Sequence, residues 1–289
     1  MSVAILLATF LASGQLKAGD ITETDSYVGP KLINYASWNT ELTVPQFDPS
    51  QGVLKNVTIE LTGSSDGLIG FGKGTAGAVA VSGDVGARIT LQLPVAGSLV
   101  VRPRGAFSGT VPGPGSVTFD HLTGTDYAWG MPDDLSPFIG TGTVVFPTQA
   151  DASSNVVFGP GAGGTFWGWE VNAEVLLVVT YEYSTAAEAL DDVHELIAEL
   201  DVGDFSNANQ QNALGNKVDS VIAKIDAGDL TSLSEAIDKL MHDILPKTDG
   251  KNRPPDWVVD PQAQQELEAR INAILDALRA ELAAQGGGP

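Results

Sequence analysis

Three tryptophans in glycine-rich stretches are the first candidates for ligand binding in this sequence. Trp129 lies in TDYAWGMP, and Trp167 and Trp169 lie in GGTFWGWEV. Aromatic rings exposed on a β-rich domain can stack on sugar rings, so the set predicts a carbohydrate-binding surface that also includes Tyr127 and Phe166. Trp167 and Trp169 are two positions apart and share one face of an extended strand. That face is also compatible with burial in the core, which is the interpretation we favour for this pair.

A polar segment near the C-terminus, TDGKNRPPDWVVD, contains four side chains with oxygen ligands: Asp249, Asn252, Asp256 and Asp260. Carboxylate and amide oxygens are the ligands that calcium takes, so a calcium site is one hypothesis for this segment. The spacing differs from that of the EF-hand loop. In the alternative interpretation, Asp260 caps the helix that follows and the other polar groups are solvated. No other metal and no cofactor is predicted.

The sequence does not point to a catalytic centre. The three histidines, His121, His194 and His242, are far apart and do not form an HExxH motif. The lack of cysteine excludes disulfides, thiolate metal sites and a cysteine nucleophile. The sequence therefore predicts a protein that is not an enzyme. A glycoside hydrolase is the less favoured alternative, because that chemistry needs only two carboxylates in a cleft and the chain has 36 acidic residues.

The formal net charge of the 289-residue chain is −21. Such a charge repels nucleic acid and anionic lipid surfaces, and it favours solubility. We therefore expect partners to be proteins, including further copies of this chain in a homo-oligomer or larger assembly, or else carbohydrates or cations.

The first 18 residues predict a signal peptide, because the apolar run Val3–Ala12 is followed by small residues. Ten apolar residues are too few to span a bilayer, and no second long apolar stretch follows. We expect a secreted or cell-surface protein with no membrane span in the mature chain. No lysine or arginine precedes Val3. A start further upstream, or retention of this run as a core strand or helix, therefore stays open.

Composition changes near Thr185 and divides the mature chain into two domains. Residues 19–184 are rich in Gly, Pro, Ser, Thr and Val and predict an antiparallel β-sandwich. Residues 185–285 are rich in Ala, Leu, Asp and Glu at helical spacing and predict a small, acidic four-helix bundle. A glycine-rich tail, residues 286–289, follows. The expected fold class is multidomain β plus α.

Alternating or continuous apolar runs predict the strands of the first domain. They are Glu41–Val44, Val53–Leu61, Ala76–Ser82, Ala87–Leu93, Ser98–Arg102, Gly142–Phe146 and Val171–Tyr183. The last run is nearly all apolar in its middle and predicts a central strand covered on both faces. Gly105–Pro114 predicts a loop, and Gly70–Gly74 predicts a hairpin turn. The polar segment Ile21–Gly29 is expected to complete its own sheet, or else to add to the edge of a neighbouring molecule.

Capping residues and apolar stripes predict four amphipathic helices in the second domain. Each helix has one apolar face, so the four must pack on one another. The first helix starts at the capping box of Thr185 and Glu188, and the second spans Asn209–Ala227 and stops at Gly228. The third starts at the box of Ser232 and Glu235 and ends before Pro246, and the fourth starts at Asp260 with Pro261 as its first residue.

Two segments of the first domain carry a resemblance to a known family. TELTVPQFDPSQGVLKNVTIELTG (Thr40 to Gly63), with VTYEY (Val179 to Tyr183), resembles the choice-of-anchor E domain of exported bacterial proteins over about residues 20–184. The resemblance implies a β-rich exported domain without catalytic residues. Members usually carry a C-terminal sorting signal, and this chain has none that we recognise.

The second domain is similar to a helical module at the C-termini of multidomain extracellular bacterial proteins. The similarity lies in FSNANQQNALGNKVDSVIAKIDAG (Phe205 to Gly228), LMHDILPKTDG (Leu240 to Gly250) and DWVVDPQAQQEL (Asp256 to Leu267). Taken together, these features predict a non-enzymatic structural, adhesive or assembly protein of the bacterial cell surface or extracellular matrix. A carbohydrate-binding module that uses Trp129, Trp167 and Trp169 is the alternative.

Overall fold

The computed structural model describes residues 19–251 and 256–286. The predicted signal peptide, Asn252 and the last three residues of the predicted tail lie outside the described residues. Ten strands come first along the chain, and four α-helices follow.

Several strands are longer than the segments predicted from the sequence, and the two predicted strands Ala76–Ser82 and Ala87–Leu93 fall largely in one long strand. The ten are β1 (Gly19–Val28), β2 (Leu32–Ile33), β3 (Ser37–Pro45), β4 (Val53–Lys73), β5 (Val79–Gln92), β6 (Ser98–Val101), β7 (Arg104–Val111), β8 (Gly115–Gly130), β9 (Thr143–Phe158) and β10 (Thr165–Ser184).

The strands form two antiparallel sheets. In the first sheet the order is β1, β10, β4, β8, and β2 pairs with β10 on the same edge as β1. In the second sheet the order is β3, β9, β5, and both β6 and β7 pair with the far edge of β5. If β2 is grouped with β1, and β7 with β6, eight strands remain. Numbered anew from one to eight along the chain, they have the order 1-8-3-6 in the first sheet and 2-7-4-5 in the second. This is the strand order of a jelly roll, in which most chain neighbours lie in different sheets of the packed pair.

One hydrophobic core fills the space between the two sheets. Inward side chains of β4 and β10, such as Ile59, Leu61 and Leu177, meet inward side chains of β5 and β9, such as Ile89 and Phe146. All five are buried. The packing of the two inner faces is the expected source of most of the stability of this domain, since apolar area removed from water is the dominant favourable contribution to folding.

Two glycines allow β7 and β8 to cross at the corner between the sheets. A Cβ atom on Gly105 would lie 2.1 Å from the carbonyl carbon of Leu122, and one on Gly124 would lie 2.3 Å from the backbone nitrogen of Arg104. No side chain fits at that distance, so the crossing requires glycine at both positions.

An aspartate caps the backbone of the second sheet at each side of the sandwich. Asp25, on edge strand β1, accepts a hydrogen bond of 2.7 Å from the backbone N–H of Thr43 in edge strand β3. On the other side, Asp126 of β8 accepts one of 2.6 Å from the N–H of Arg102, directly after β6. Both carboxylates satisfy donors of the kind that an unprotected sheet edge offers to other chains.

Strand β1 confirms the first of the two expectations for the segment Ile21–Gly29. Its ten residues pair in continuous register with β10, from Gly19 opposite Tyr183 to Val28 opposite Glu174. The segment therefore completes its own sheet.

Three expectations about strands were wrong. Gly105–Pro114 is not a loop, because residues 105 to 111 belong to β7. Gly70–Gly74 is not itself a turn, because β4 continues to Lys73. Val171–Tyr183 lies centrally in its sheet, but its burial alternates along most of its length, so only one face is covered. Glycine misled the first two predictions, because in this fold it permits close packing within strands instead of ending them.

The helical part follows β10 directly. The helices are α1 (Ala186–Glu199), α2 (Gln210–Ala227), α3 (Leu230–Lys239) and α4 (Pro261–Ala284). Thr185 and Glu188 form the predicted capping box of α1, Gly228 ends α2 with a φ of 70°, and Asp260 caps α4. The predicted starts of the first and last helices are confirmed.

The third helix differs from its prediction at both ends. Its cap is Asp229, which accepts a hydrogen bond of 2.9 Å from the backbone N–H of Ser232. After Lys239 the chain continues through a π-helical turn and a short 3₁₀ turn that contains Pro246. Because Asp229 already caps the chain three positions earlier, Ser232 lies within the first turn of the helix, which explains the displaced start.

The helices share a second hydrophobic core that also touches the β-sheet domain. Its buried members include Leu190, Val218, Leu240 and Ile271, and Val53 at the start of β4 packs against it. An ion pair of 2.7 Å joins Lys55 of β4 to Asp192 of α1 on the surface. The helices therefore lie at the end of the first sheet where β4 begins.

Replacement of Gly105 by alanine is expected to destabilise the protein by about 3 kcal/mol, because the new methyl group overlaps the backbone of β8. Urea unfolding measures the change. Gly168→Ala is the matched control, since this strand glycine has no atom within 4 Å of a Cβ. Equal unfolding midpoints for the two variants would contradict the role of the crossing.

The partly buried Glu23, on the inward side of β1, predicts a pH-dependent stability. Removal from water raises the pKa of this carboxyl, so the folded protein holds the proton more tightly than the unfolded chain does. Stability from this group is therefore lost as pH rises from the ordinary value of 4.5 through the folded pKa. Glu23→Gln should raise the melting temperature at neutral pH and leave it unchanged at a pH below the ordinary glutamate pKa of 4.5. The exposed Glu182→Gln controls for charge, and an equal gain at both pH values would contradict this explanation.

Candidate functional site

Two exposed aromatic residues lie side by side on the outer face of the first sheet. Trp129 and Tyr127 occupy alternate positions of β8, and their side chains are 58% and 50% exposed. They lie opposite Glu60 and Thr62 of β4, respectively. Alternate residues of a strand are about 7 Å apart and point the same way. We call this pair the aromatic platform.

A hydrogen bond holds one ring of the aromatic platform in place. The Tyr127 hydroxyl donates to Glu60 Oε1 at 2.6 Å. This bond, with smaller contributions from desolvation and from the negative charge of Glu60, raises the pKa of the Tyr127 phenol. The bond fixes the Tyr127 ring next to the exposed indole of Trp129.

Polar side chains surround the aromatic platform on the same outer face. The row through Tyr127 continues across the sheet to Thr62, Leu176 and Ser26. The next row carries Thr125, Ser64 and Glu174. Hydroxyl and carboxylate oxygens of this kind accept hydrogen bonds from alcohol groups. The remaining charged groups of this face include Asp66, Glu170, Glu182 and Lys31, of which Lys31 is paired with Glu170 at 2.7 Å.

The three predicted tryptophans do not form one site. Trp169 lies in the core with 4% exposure. Trp167 lies on the same inward side near the end of β10, where its ring contacts Phe158 at 5.3 Å and remains partly exposed. Trp167 pairs with Phe71 of β4, and Trp129 pairs with Glu60, eleven residues away. At about 3.3 Å per residue these tryptophans lie roughly 36 Å apart.

A shallow groove interrupts the outer face at the far end of the first sheet. Its floor is made by Gly70, Gly72 and Gly168, and its sides by Leu68 and Phe166. Ser116 and Thr118 of β8 also contribute to its lining, and its volume is about 490 Å³. We call it the glycine groove. The ring of Phe166 lies over Gly72, where a Cβ atom would be 2.2 Å from it, and is 67% exposed.

A buried lysine fixes the loop beside the glycine groove. Lys73 is 4% exposed, and its ammonium donates to the carbonyl oxygens of Gly161 at 2.7 Å and Gly163 at 2.9 Å. Both carbonyls belong to the loop between β9 and β10. Lys73 therefore points into the structure and organises a loop.

A second concave region lies on the outer face of the second sheet and is polar. Its volume is about 380 Å³, and Asn39 and Glu41 of β3, Gln149 of β9 and Thr90 of β5 contribute to its lining. Sequence alternation in these strands predicts outward polar residues but not their meeting in one depression.

One serine sequence pattern has no catalytic counterpart in the structure. Residues 63–67, GSSDG, match the GxSxG pattern of hydrolases. They lie in the middle of β4, whereas the hydrolase serine occupies a sharp turn from a strand to a helix. The side chain of Ser65 is buried between the sheets.

The four residues of the calcium hypothesis have separate surroundings where they are described. Asp260 accepts a hydrogen bond of 2.8 Å from the backbone N–H of Ala263 as the cap of α4. Asp249 pairs with Lys251 at 3.3 Å, and Asp256 is buried. Asn252 lies outside the described residues. Within residues 19–251 and 256–286, no three His, Asp or Glu side chains are grouped to hold a metal ion. The calcium site stays a prediction.

Comparisons with known proteins provide no family for the chain. No protein-family model matches it, and no curated protein matches it. Solved structures with local likeness include those of infectious bursal disease virus strains Gx and Gt. Each is 12% identical to this chain. The Gx alignment covers 58% of this chain and 38% of the viral chain, with a TM-score of 0.15. The Gt alignment covers 62% and 41%, with a TM-score of 0.18. The chain thus spans about two fifths of the length of those proteins. At such TM-scores the likeness carries no argument.

A helix that crosses a bilayer needs about 20 mostly apolar residues. Among the described residues, no helix is both long enough and apolar enough to cross a membrane.

The hydrogen bond between Tyr127 and Glu60 predicts the titration of this tyrosine. Glu60→Ala removes the acceptor and its negative charge, so the pKa of Tyr127 should fall toward the ordinary value of 10.0. Ultraviolet titration of tyrosinate measures it, and subtraction of the Tyr127→Phe titration isolates this residue from the other four tyrosines. Glu174→Ala, on the same face, is the control. An unchanged Tyr127 titration in Glu60→Ala would contradict the bond.

Proposed function

We propose that this chain is a non-enzymatic adhesive protein of the bacterial cell surface or extracellular matrix that binds a neutral carbohydrate polymer. The observation that supports it is the aromatic platform, in which Trp129 and Tyr127 are exposed side by side on a flat sheet. The predicted signal peptide and the resemblance to the choice-of-anchor E domain support the location.

The aromatic platform has the chemistry that a sugar ring requires. The apolar C–H face of a pyranose stacks on an indole or phenol ring, and its hydroxyl groups need acceptors at the rim. Glu60, held by Tyr127, and Thr62, Ser64 and Thr125 supply such acceptors. Burial of an exposed indole against a ligand also removes apolar area from water.

The charge of the outer face favours a neutral ligand. Among the described residues, Glu60 and Glu174 lie on it without an ion-pair partner, the basic neighbour of Asp66 is His121 at 3.7 Å, and Lys31 is already paired with Glu170. An anionic polymer would meet these carboxylates and the overall charge of −21. A polymer without charge avoids that repulsion and still donates hydrogen bonds.

Strand exchange between molecules is the less favoured basis for assembly. Strand β1 is paired along its whole length within its own sheet. Asp25 and Asp126 occupy backbone donors at the borders of the second sheet. Adhesion through a bound polymer needs no free sheet edge, and it accounts for the exposed aromatic residues.

We also propose that the four helices form a compact bundle that acts as a separate module of this adhesive protein. The support is their common hydrophobic core, which includes residues from all four. Because the helices contact the start of β4, the module is fixed at one end of the first sheet.

A glycoside hydrolase is the second candidate, and one observation favours it. Asp66 of β4 and Glu174 of β10 are diagonal neighbours on the outer face, since Glu174 is opposite Ser64. Diagonal positions in a sheet are about 7–8 Å apart, within the range of about 6.5–9.5 Å for the carboxylates of inverting enzymes. Release of reducing ends from a bound polysaccharide would establish this activity.

Affinity electrophoresis tests the proposed function with four neutral polysaccharides: hydroxyethyl cellulose, xylan, glycol chitin and mixed-linkage β-glucan. The wild-type protein should be retarded by at least one of them. Trp129→Ala should weaken this binding on the order of tenfold, because one ring of the platform is lost. Val157→Ala, an exposed apolar residue on the outer face of the second sheet, should bind as the wild type does. Equal binding by Trp129→Ala would reject the platform.

A further inference from the structure

We infer that the glycine groove is a second subsite for the same polymer, and that this polymer is a flat, linear, neutral glucan ribbon that runs along the strands of the first sheet. The inference rests on the proposed function. It is based on the groove and the aromatic platform sharing one face of one sheet.

The position of the groove follows from the register of β4. Glu60 lies beside Trp129, and Gly72 lies beside Phe166, twelve positions further along the same strand. At about 3.3 Å per residue, the two aromatic sites are roughly 40 Å apart. A short oligosaccharide can occupy one site, whereas only a long chain reaches both.

The floor of the groove selects for a flat ligand. On the outer face, Gly168 of β10 lies opposite Gly70 of β4, so this row has no side chain on two adjacent strands. Gly72 is covered only by the ring of Phe166. A planar ribbon can lie against the peptide backbone there, while Phe166 stacks on it and the hydroxyl groups of Ser116 and Thr118 lie at the side. A sugar ring with a bulky branch directed at the floor would not fit there, whereas a stretch of unsubstituted rings would.

Polar groups occupy the part of the face between the two subsites. Thr123 and Thr125 of β8 are exposed there, and Asp66 of β4 lies opposite Thr123. His121 is exposed at a β-bulge of β8, with its Nδ1 3.7 Å from Asp66 Oδ2. These groups can hydrogen-bond to the hydroxyl groups along the edge of a ribbon. The subsites are therefore joined by a hydrophilic path and not by a hydrophobic barrier.

The test compares cellotriose, which cannot reach both sites, with hydroxyethyl cellulose, which can. Three proteins are compared with the wild type by titration calorimetry: Phe166→Ala, Gly168→Val and Trp129→Ala. Gly168→Val fills the floor of the groove without a clash, because its Cβ has no neighbour within 4 Å, and β-branched residues suit strands. Thermal melting of each variant verifies the fold.

Both groove variants should bind hydroxyethyl cellulose about three- to tenfold more weakly than the wild type and keep the cellotriose binding that occurs at the aromatic platform. Trp129→Ala should lose affinity for both. If the groove variants bind the polymer as the wild type does, the second subsite is rejected and the aromatic platform stands. Binding of the wild type to another neutral polysaccharide but not to hydroxyethyl cellulose would reject the glucan ribbon alone. Binding to no neutral polysaccharide would reject the proposed function as well.

Discussion

The close crossing of β7 and β8 is the constraint on which the outer face of the first sheet depends. Here the start of β7, in the second sheet, lies against the middle of β8, in the first sheet, and the two backbones touch through Gly105 and Gly124. The crossing fixes Gly124 inward and buries Leu122. Side chains of a strand alternate, so Thr125, Tyr127 and Trp129 must point outward. A slip of one residue in β8 would turn both aromatic rings into the sandwich and expose Ala128 instead.

Much of the fold could be predicted from local patterns, and the exceptions share one physical cause. Alternation in Val57 to Leu61 and the capping residues of α1 and α4 reflect local chemistry, and both predictions agree with the structure. Strand β8 was missed because glycine and proline surround its apolar residues. In this domain glycine accommodates a backbone or a ring from a distant strand, as at Gly124 and Gly72. That partner is not visible in a local stretch of sequence.

The candidate site shows the same division between local and distant information. The sequence identifies Tyr127 and Trp129 as ligand candidates, and their role stays a prediction. It also places Trp167 and Trp169 on one strand face, which agrees with their alternate positions in β10. The separation of Trp129 from Trp167 depends on the register of β4 against two different strands, and no local pattern encodes it. The glycine groove was missed for a related reason. Its floor unites glycines from two strands that are almost a hundred residues apart in the chain.

The position of the helices gives the outer face a direction. The helical core contacts Val53 at the start of β4, and Trp129 lies beside Glu60, only seven residues further along. The glycine groove lies at the opposite end of the same strand. A polymer bound along the face would therefore have one part near the helices and another part at the far end of the sheet. The helices contact the first sheet at Val53 and through the ion pair between Asp192 of α1 and Lys55 of β4. Both contacts lie at the start of β4, so the helices leave the groove uncovered.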